Sequence, residues 1–232
     1  MGVLNVTPDS FSDGGDSFGL EDALRRAERM AEQGAHIIDV GGESTRPGAA
    51  EVSAREEIDR VAPVIEAIAS RIPLPISVDT SKPEVMRAAV EAGVGMVNDV
   101  CALRRPRALE TAVELQVPVC LMHMQGEPRT MQSSPTYGDV VTEVQDFLHR
   151  RVDACIAAGM VQERLLLDPG FGFGKTLEHN LALLNGLGEL CSLGLPMLVG
   201  MSRKSMIGAL TGRPVEERLA GSLAAAVLAV EK

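Results

Sequence analysis

The sequence predicts a single α/β domain built as a (β/α)8 barrel, and three observations support this prediction. The chain has 232 residues, which is enough for one large core. Short apolar segments alternate with amphipathic segments along the chain, as in parallel β-α units. Nearly every apolar segment ends in polar residues, and in a barrel these ends converge on one rim. A doubly wound open sheet is the alternative, but it needs polar ends only near its switch point.

Seven segments have the continuous apolar character of strands buried on both faces of a parallel sheet. They are GVLNV (2–6), HIIDVGG (36–42), PISVDT (75–80), MVNDV (96–100), VPVCLMH (117–123), RLLLDPG (164–170) and PMLVGMS (196–202). The polar residues at their ends are Asn5, Asp39, Glu43, Asp79, Asn98, Asp99, His123, Asp168, Ser202, Arg203 and Lys204.

The segments between the predicted strands have the amphipathic pattern of helices. They lie at 20–33, 51–71, 84–93, 105–115, 139–158, 177–190 and 216–231. A closed barrel needs eight β/α units and the sequence supplies seven. We therefore expect the eighth unit to be missing from this chain, which leaves one domain, residues 1–232, incomplete at its C-terminal end.

The composition argues against several classes of protein. The formal net charge is −10, which argues against general binding to nucleic acid or to a membrane surface. The four cysteines lie far apart without a C-x-x-C motif, as expected for unpaired thiols in a reducing compartment. We see no signal peptide and no apolar run long enough to cross a membrane, so we expect a cytoplasmic protein.

The glycine-rich segment DPGFGFGKT (168–176) looks like a phosphate-binding loop, but its spacing excludes a P-loop. That motif needs a glycine five residues before Gly174. Pro169 occupies the position and has no backbone N–H to donate to a phosphate. The glycines also fail the G-x-G-x-x-G spacing. From these residues alone, a flexible strand-to-helix loop and a different kind of ligand site both remain open.

Seven segments together show a resemblance to the dihydropteroate synthase family of pterin-binding barrels. They are GVLNVTPDSFSDGG (2–15), DVGGESTRPGA (39–49), SVDTSKPEV (77–85), NDV (98–100), LMHMQGEPRTMQ (121–132), LLDPGFGFGKTLEHN (166–180) and GMSRKS (200–205). They occur in order over essentially the whole chain. The resemblance implies a transferase of folate biosynthesis that joins 6-hydroxymethyl-7,8-dihydropterin diphosphate to p-aminobenzoate and releases pyrophosphate. It also implies Mg²⁺ as the cofactor and a homodimer.

The resemblance assigns the pterin to four residues at strand ends, namely Asp79, Asn98, Asp168 and Lys204. Carboxylates and an amide suit paired hydrogen bonds to the ring edge. Their negative charge would also favour the cationic methylene that develops as the diphosphate leaves. Each residue alone is also typical of a helix cap or a solvated surface, so their joint position is what indicates a site.

The second substrate and the metal are assigned mainly to loops. The resemblance implies that p-aminobenzoate and the closed site involve Asp13, Thr45, Arg46, Pro47, Phe173 and Ser205. The loops 7–19 and 42–53 are rich in Gly, Ser, Pro and Asp, and they would close over the substrates and exclude water. Asn5 would contact Mg²⁺, which requires the diphosphate to supply most of the metal's oxygen ligands. Lys175 is given only a supporting role.

One feature of the family has no counterpart in this sequence. The family's eighth strand carries an Arg-x-His pair that binds the diphosphate, and no histidine here follows an arginine by two residues. We interpret the chain as truncated before that strand. Two alternatives stay open. One is a pterin-using methyltransferase, which should lack the TRPG and SRKS segments, and the other is a degenerate protein that binds pterin without turnover.

Overall fold

The computed structural model describes residues 1–7, 16–44, 51–127 and 130–232, with residues 16–18 described by their backbone alone. Six parallel strands form one sheet in the order β1-β2-β3-β4-β5-β6. The strands are β1 (Gly2–Asn5), β2 (Ile38–Gly41), β3 (Ile76–Asp79), β4 (Met96–Asp99), β5 (Val119–Met122) and β6 (Leu165–Asp168). Because each strand pairs with the next one along the chain, the sheet has the order of a barrel. A doubly wound sheet would reverse its order at a switch point.

The prediction of a full seventh strand over 196–202 was wrong, because only a single parallel bridge forms there, between Leu167 and Met197. Two hydrogen bonds accompany it, from the Leu167 N–H to the Pro196 oxygen at 2.9 Å and from the Leu198 N–H to the Leu167 oxygen at 2.8 Å. The segment therefore takes the place of a seventh strand beside β6 but pairs on that side only. Among the described residues the barrel is not closed.

Each predicted helical segment contains a helix in the structure. The helices are α1 (Asp16–Glu32), α2 (Ala54–Arg71), α3 (Pro83–Glu91), α4 (Ala108–Leu115), α5 (Val140–Ala157), α6 (Leu177–Asn185), α7 (Leu187–Cys191), α8 (Ser205–Thr211) and α9 (Leu219–Val230). The predicted helix 177–190 is divided at Gly186, where a Cβ would lie 2.8 Å from Val141 Cγ2. Helix α8 was not predicted. Within the described ranges, no helix combines the length and apolar character needed to cross a membrane.

The register of the sheet sorts the residues of each strand into two sets. One cross-strand row contains Leu4, Val40, Val78, Val97, Val119 and Leu165, and all six side chains are fully buried in the main apolar core. The row one position later contains Asn5, Gly41, Asp79, Asn98 and Cys120. Since successive side chains alternate between the faces of a sheet, this second row points away from the helices and into the barrel. Pairing register therefore places the polar residues together.

A buried ion network joins the end of β2 to α2 and α3. The Lys82 ammonium lies 2.5 Å from Glu57 Oε2 and also contacts Glu43. Glu57 is fully buried, and its Oε1 has no hydrogen-bond partner among the described residues. Burial alone would lower the pKa of Lys82, but the two carboxylates raise it instead. The two carboxylates therefore keep Lys82 charged, and the Lys82 charge compensates for the burial of the Glu57 carboxylate.

We expect Lys82→Met to lower the free energy of unfolding by about 3–5 kcal/mol, because the Glu57 carboxylate would remain buried without its partner. Urea unfolding followed by circular dichroism measures the change. Arg55→Met is the matched control. It breaks an ion pair with Asp59 whose side chains are 83% and 55% exposed, and it should cost less than about 1 kcal/mol. Equal losses in the two variants would contradict the network's importance.

Candidate active site

The structure brings Asn5, Asp79 and Asn98 to one rim of the barrel through the cross-strand row that they share. Gly41 separates Asn5 from Asp79 in this row. A Cβ at Gly41 would lie 3.6 Å from Asn5 Oδ1 and 3.7 Å from Asp79 Oδ2. The glycine thus leaves an open space between an amide oxygen and a carboxylate oxygen. A side chain there would occupy the space that the two groups face.

Asp39 is a buried part of the same site that the sequence analysis recorded only as a strand end. It is 3% exposed, and its two oxygens accept hydrogen bonds from Ser77 Oγ at 2.6 Å and from Asn98 Nδ2 at 3.3 Å. The second bond directs the amide nitrogen of Asn98 toward Asp39, so that the amide oxygen Oδ1 can accept from a ligand. A carboxylate inside the otherwise apolar segment HIIDVGG was the signal that could have identified it.

The carboxylates of the site are held in a setting that favours protonation. Burial raises the pKa of Asp79 well above its ordinary value, and the nearby charges of Asp39 and Asp99 raise it further. Burial also raises the pKa of Asp39, against the effect of its hydrogen bonds from Ser77 and Asn98. Close buried carboxylates do not readily all ionise. The group can therefore hold a proton and present both donors and acceptors to a ring edge.

Asp168 and Lys204 lie on the opposite side of the rim, together with Phe173. Asp168 Oδ1 accepts a hydrogen bond from the Gly170 N–H at 2.7 Å. The Lys204 ammonium lies 4.6 Å from the centre of the Phe173 ring, within cation–π distance. Burial lowers the pKa of Lys204, and the Asp168 charge acts against this shift. Lys204 is thus a weakly hydrated cation between an aromatic face and a carboxylate.

Lys175 lies beneath the glycine-rich loop and is only 3% exposed. Its Nζ is 2.9 Å from the Gly170 oxygen, 3.0 Å from the Phe173 oxygen and 2.9 Å from His123 Nδ1. Burial, with a further contribution from Lys175, lowers the pKa of His123 to about 3. The imidazole is therefore neutral, and its Nδ1 lies within hydrogen-bond distance of the lysine.

The remaining predicted residues divide into two groups. Ser205 is exposed at the first position of α8, directly after Lys204. Four others, Asp13, Thr45, Arg46 and Pro47, lie outside the described residues. A cavity of about 620 Å³ opens beside Asp79, within the size range of small-molecule sites. It is lined by groups of both charges, including Glu43, Lys82, Arg104 and Arg105.

The described residues offer little to a metal ion on their own. They contain no group of three or more His, Cys, Asp or Glu side chains arranged to hold one. Asn5 is exposed at the rim with the Asp79 carboxylate nearby. One neutral amide oxygen fits Mg²⁺ only when a bound diphosphate and water supply the other ligands.

Comparison with known proteins gives matches over the whole chain. Residues 1–232 match the pterin binding enzyme family. The dihydropteroate synthase of Haemophilus influenzae is 56% identical over 232 residues, which cover all of this chain and 84% of that protein. The Yersinia pestis enzyme in a sulfonamide drug complex superposes with a TM-score of 0.94 at 55% identity, covering 99% of this chain and 84% of that chain. The Xanthomonas albilineans enzyme with 4-aminobenzoic acid has a TM-score of 0.94 at 56% identity, covering 100% and 83%.

We expect Gly170→Ala to lower the free energy of unfolding by more than about 3 kcal/mol, since its φ is +68° and a Cβ would lie 1.9 Å from the His123 oxygen. Gly194→Ala is the matched control because its φ is +71° but no atom lies within 4 Å of the added carbon. That change should cost about 1 kcal/mol. Urea unfolding separates the two effects, and equal losses would show that the close contact with His123 is relieved at little cost.

We expect the stability difference between the wild type and Lys175→Met to depend on pH. Burial, opposed by Asp168 and assisted by Lys204, lowers the pKa of Lys175 to about 7. Between pH 7 and 10 the unfolded chain binds a proton that the folded chain does not, so wild-type stability rises relative to the variant as pH increases. The rise should be on the order of 3 kcal/mol. Unfolding curves at several pH values measure it, and a constant difference would contradict the lowered pKa.

Proposed function

The chain belongs to the dihydropteroate synthase family of pterin-binding enzymes, and we propose that the rim of polar strand ends is where it binds its substrates. The enzyme is a transferase that condenses 6-hydroxymethyl-7,8-dihydropterin diphosphate with p-aminobenzoate to give 7,8-dihydropteroate and pyrophosphate. The observation that carries the location is the cross-strand row that aims Asn5, Asp79 and Asn98 into one space. Asp168 and Lys204 face that space from the other side.

We propose that the pterin ring lies between these two groups of residues. The Oδ1 of Asn98, which accepts no hydrogen bond within the described ranges, and the carboxyl groups of Asp79 and Asp168 suit a ring edge that presents both N–H groups and ring nitrogens. Asp39 fixes the orientation of the Asn98 amide through the bond at 3.3 Å. Lys204 supplies donors to the ring from its position over Phe173. A binding slot held by strand ends needs little rearrangement when the ligand arrives.

The chemistry is a displacement at the pterin methylene. The bond between the methylene carbon and the diphosphate oxygen breaks, the arylamine nitrogen bonds to that carbon, and the nitrogen loses a proton. Positive charge develops on the pterin as the leaving group departs. Asp39, Asp79 and Asp168 are fixed near this position, and together they keep negative charge there even when one of them holds a proton. Preorganised charge of opposite sign lowers the barrier.

We propose Mg²⁺ as a partner of the diphosphate and not as an ion resident in the free protein. Asn5 is the described residue that would contact it. The assignment is supported by the lack, among the described residues, of three His, Cys, Asp or Glu side chains grouped to hold a metal. When bound, the metal would neutralise charge on the leaving pyrophosphate. The Asn5 amide would fix the position of the diphosphate at the end of β1.

We propose that p-aminobenzoate lies against Phe173, Lys204 and Ser205. The half-buried ring and the neighbouring ammonium suit an aromatic carboxylate. The relatives with bound 4-aminobenzoic acid and sulfonamide support the same ligands here, so we propose this protein as a sulfonamide target. Asp13, Thr45, Arg46 and Pro47 keep the role that the family resemblance gives them. We also propose a cytoplasmic homodimer.

We expect p-aminobenzoate-dependent pyrophosphate release from the pterin diphosphate, and we expect chelation of Mg²⁺ to abolish it. Asp79→Asn should lower kcat/KM by about 10²–10³-fold, because an amide replaces a carboxyl group that can ionise beside the developing cation. Asp153→Asn is the control, since its side chain is 64% exposed on α5, and it should leave the rate unchanged. A folded chain that binds pterin but releases no pyrophosphate would favour the degenerate binding protein instead.

A further inference from the structure

We infer that Lys175 is a positioning residue for the p-aminobenzoate side of the site. It fixes the turn formed by residues 170–173, and through that turn it sets the positions of the Phe173 ring and the Lys204 ammonium. The inference deepens the proposed function, because it rests on the roles proposed there for Phe173 and Lys204.

The ammonium of Lys175 holds both ends of this turn. The Phe173 N–H donates to the Gly170 oxygen at 3.1 Å and closes the turn. Lys175 Nζ donates to the oxygen of Gly170 at one end and to that of Phe173 at the other. Its third contact, with His123 Nδ1, ties the turn to the residue that follows β5. When Lys175 is protonated, its three N–H groups thus meet three acceptors within about 3 Å, which uses the full capacity of an ammonium group.

The turn packs against His123 and Gln125, the residues that follow β5. A Cβ at Gly174 would be 2.4 Å from the Gln125 oxygen, so the loop backbone packs closely against the residue that it faces there. The Tyr137 hydroxyl donates to the Gly174 oxygen at 2.8 Å, and Gln132 Nε2 donates to the Gly172 oxygen. These outer bonds hold the exposed edge of the loop, while Lys175 holds its buried side.

Lys204 lies on the part of the loop that Lys175 fixes. Its Cδ would be 3.4 Å from a Cβ at Gly172, and its Nζ lies over the Phe173 ring. If the Phe173 oxygen lost its bond to Lys175, the ring and the ammonium would both lose a fixed position. A small displacement of groups that are positioned for a substrate can reduce binding and turnover by a large factor.

The two most buried lysines of the described chain are used differently. Lys82 contacts two carboxylates, as expected for charge compensation in a core. The hydrogen bonds of Lys175 go instead to backbone oxygens of the rim loop and to a neutral imidazole. Burying an ammonium group among neutral partners costs free energy. The partners of Lys175 are all in residues 123, 170 and 173, beside the proposed p-aminobenzoate site.

A double-mutant cycle tests the inference. We expect Lys175→Met and Phe173→Ala each to raise KM for p-aminobenzoate by about tenfold or more. The rise in KM for the pterin diphosphate should be smaller, because Asp79, Asn98 and Asp168 still hold that ring. The double variant should be close to the more impaired single variant, because both changes remove one positioned ring. Arg164→Met is the control for loss of a cation that donates to a backbone oxygen, because Arg164 contacts the Gln116 oxygen at the end of β6 far from Asp168. Its KM for p-aminobenzoate should stay within about twofold of wild type. Additive effects of Lys175→Met and Phe173→Ala, or an unchanged KM in Lys175→Met, would overturn the inference.

Amide hydrogen exchange over residues 170–174 gives a second readout that does not need turnover. Faster exchange there in Lys175→Met, with unchanged exchange in α2 and α3, would support the positioning role. Exchange equal to that of the wild type would overturn it. If the wild-type chain itself shows no p-aminobenzoate-dependent turnover, the proposed function fails, and the exchange measurement still decides whether Lys175 positions the loop.

Discussion

The candidate site depends on the register of the parallel strand pairs. Asn5, Gly41, Asp79 and Asn98 are brought into one row by three successive pairings. A slip of one residue in any of them would turn a polar side chain toward the helices and an apolar one into the barrel. The apolar row of Leu4, Val40, Val78 and Val97 resists such a slip because it is fully buried against the helices. The core therefore maintains the site by maintaining register.

This arrangement places several carboxyl groups inside the barrel, where the low dielectric makes their ionisation unfavourable. Asp39, Asp79, Asp99 and Asp168 all have a raised pKa, with burial as the main cause. Hydrogen bonds offset part of the free energy of burial. Asp99, for example, accepts from the N–H groups of Cys101 and Leu103 at 2.7 Å each. Perturbed pKa values of this kind are typical of functional sites.

The two sides of the rim are stabilised in different ways. On the side of β2 and β3, charge pairs link Glu43 and Glu57 to Lys82, and the Gly42 oxygen accepts from Arg60 Nη1 at 2.8 Å. On the side of β5 and β6, neutral groups and Lys175 hold a loop whose glycines contact the backbone after β5. Salt should weaken the exposed parts of the first side more than the second, because buried neutral contacts are little screened.

The sequence by itself determined the alternation of strands and helices, the polar strand ends and the family motifs, because burial pattern and local spacing are properties of neighbouring residues. Tertiary structure decided what depends on distant partners. Asp39 bonds to Asn98 across 59 positions, and Lys175 to His123 across 52. The predicted helix 177–190 is divided at Gly186, which lies too close to Val141 of α5 for a Cβ. The seventh strand pairs at a single bridge because strand length requires a hydrogen-bonding neighbour, which a segment's own composition does not supply.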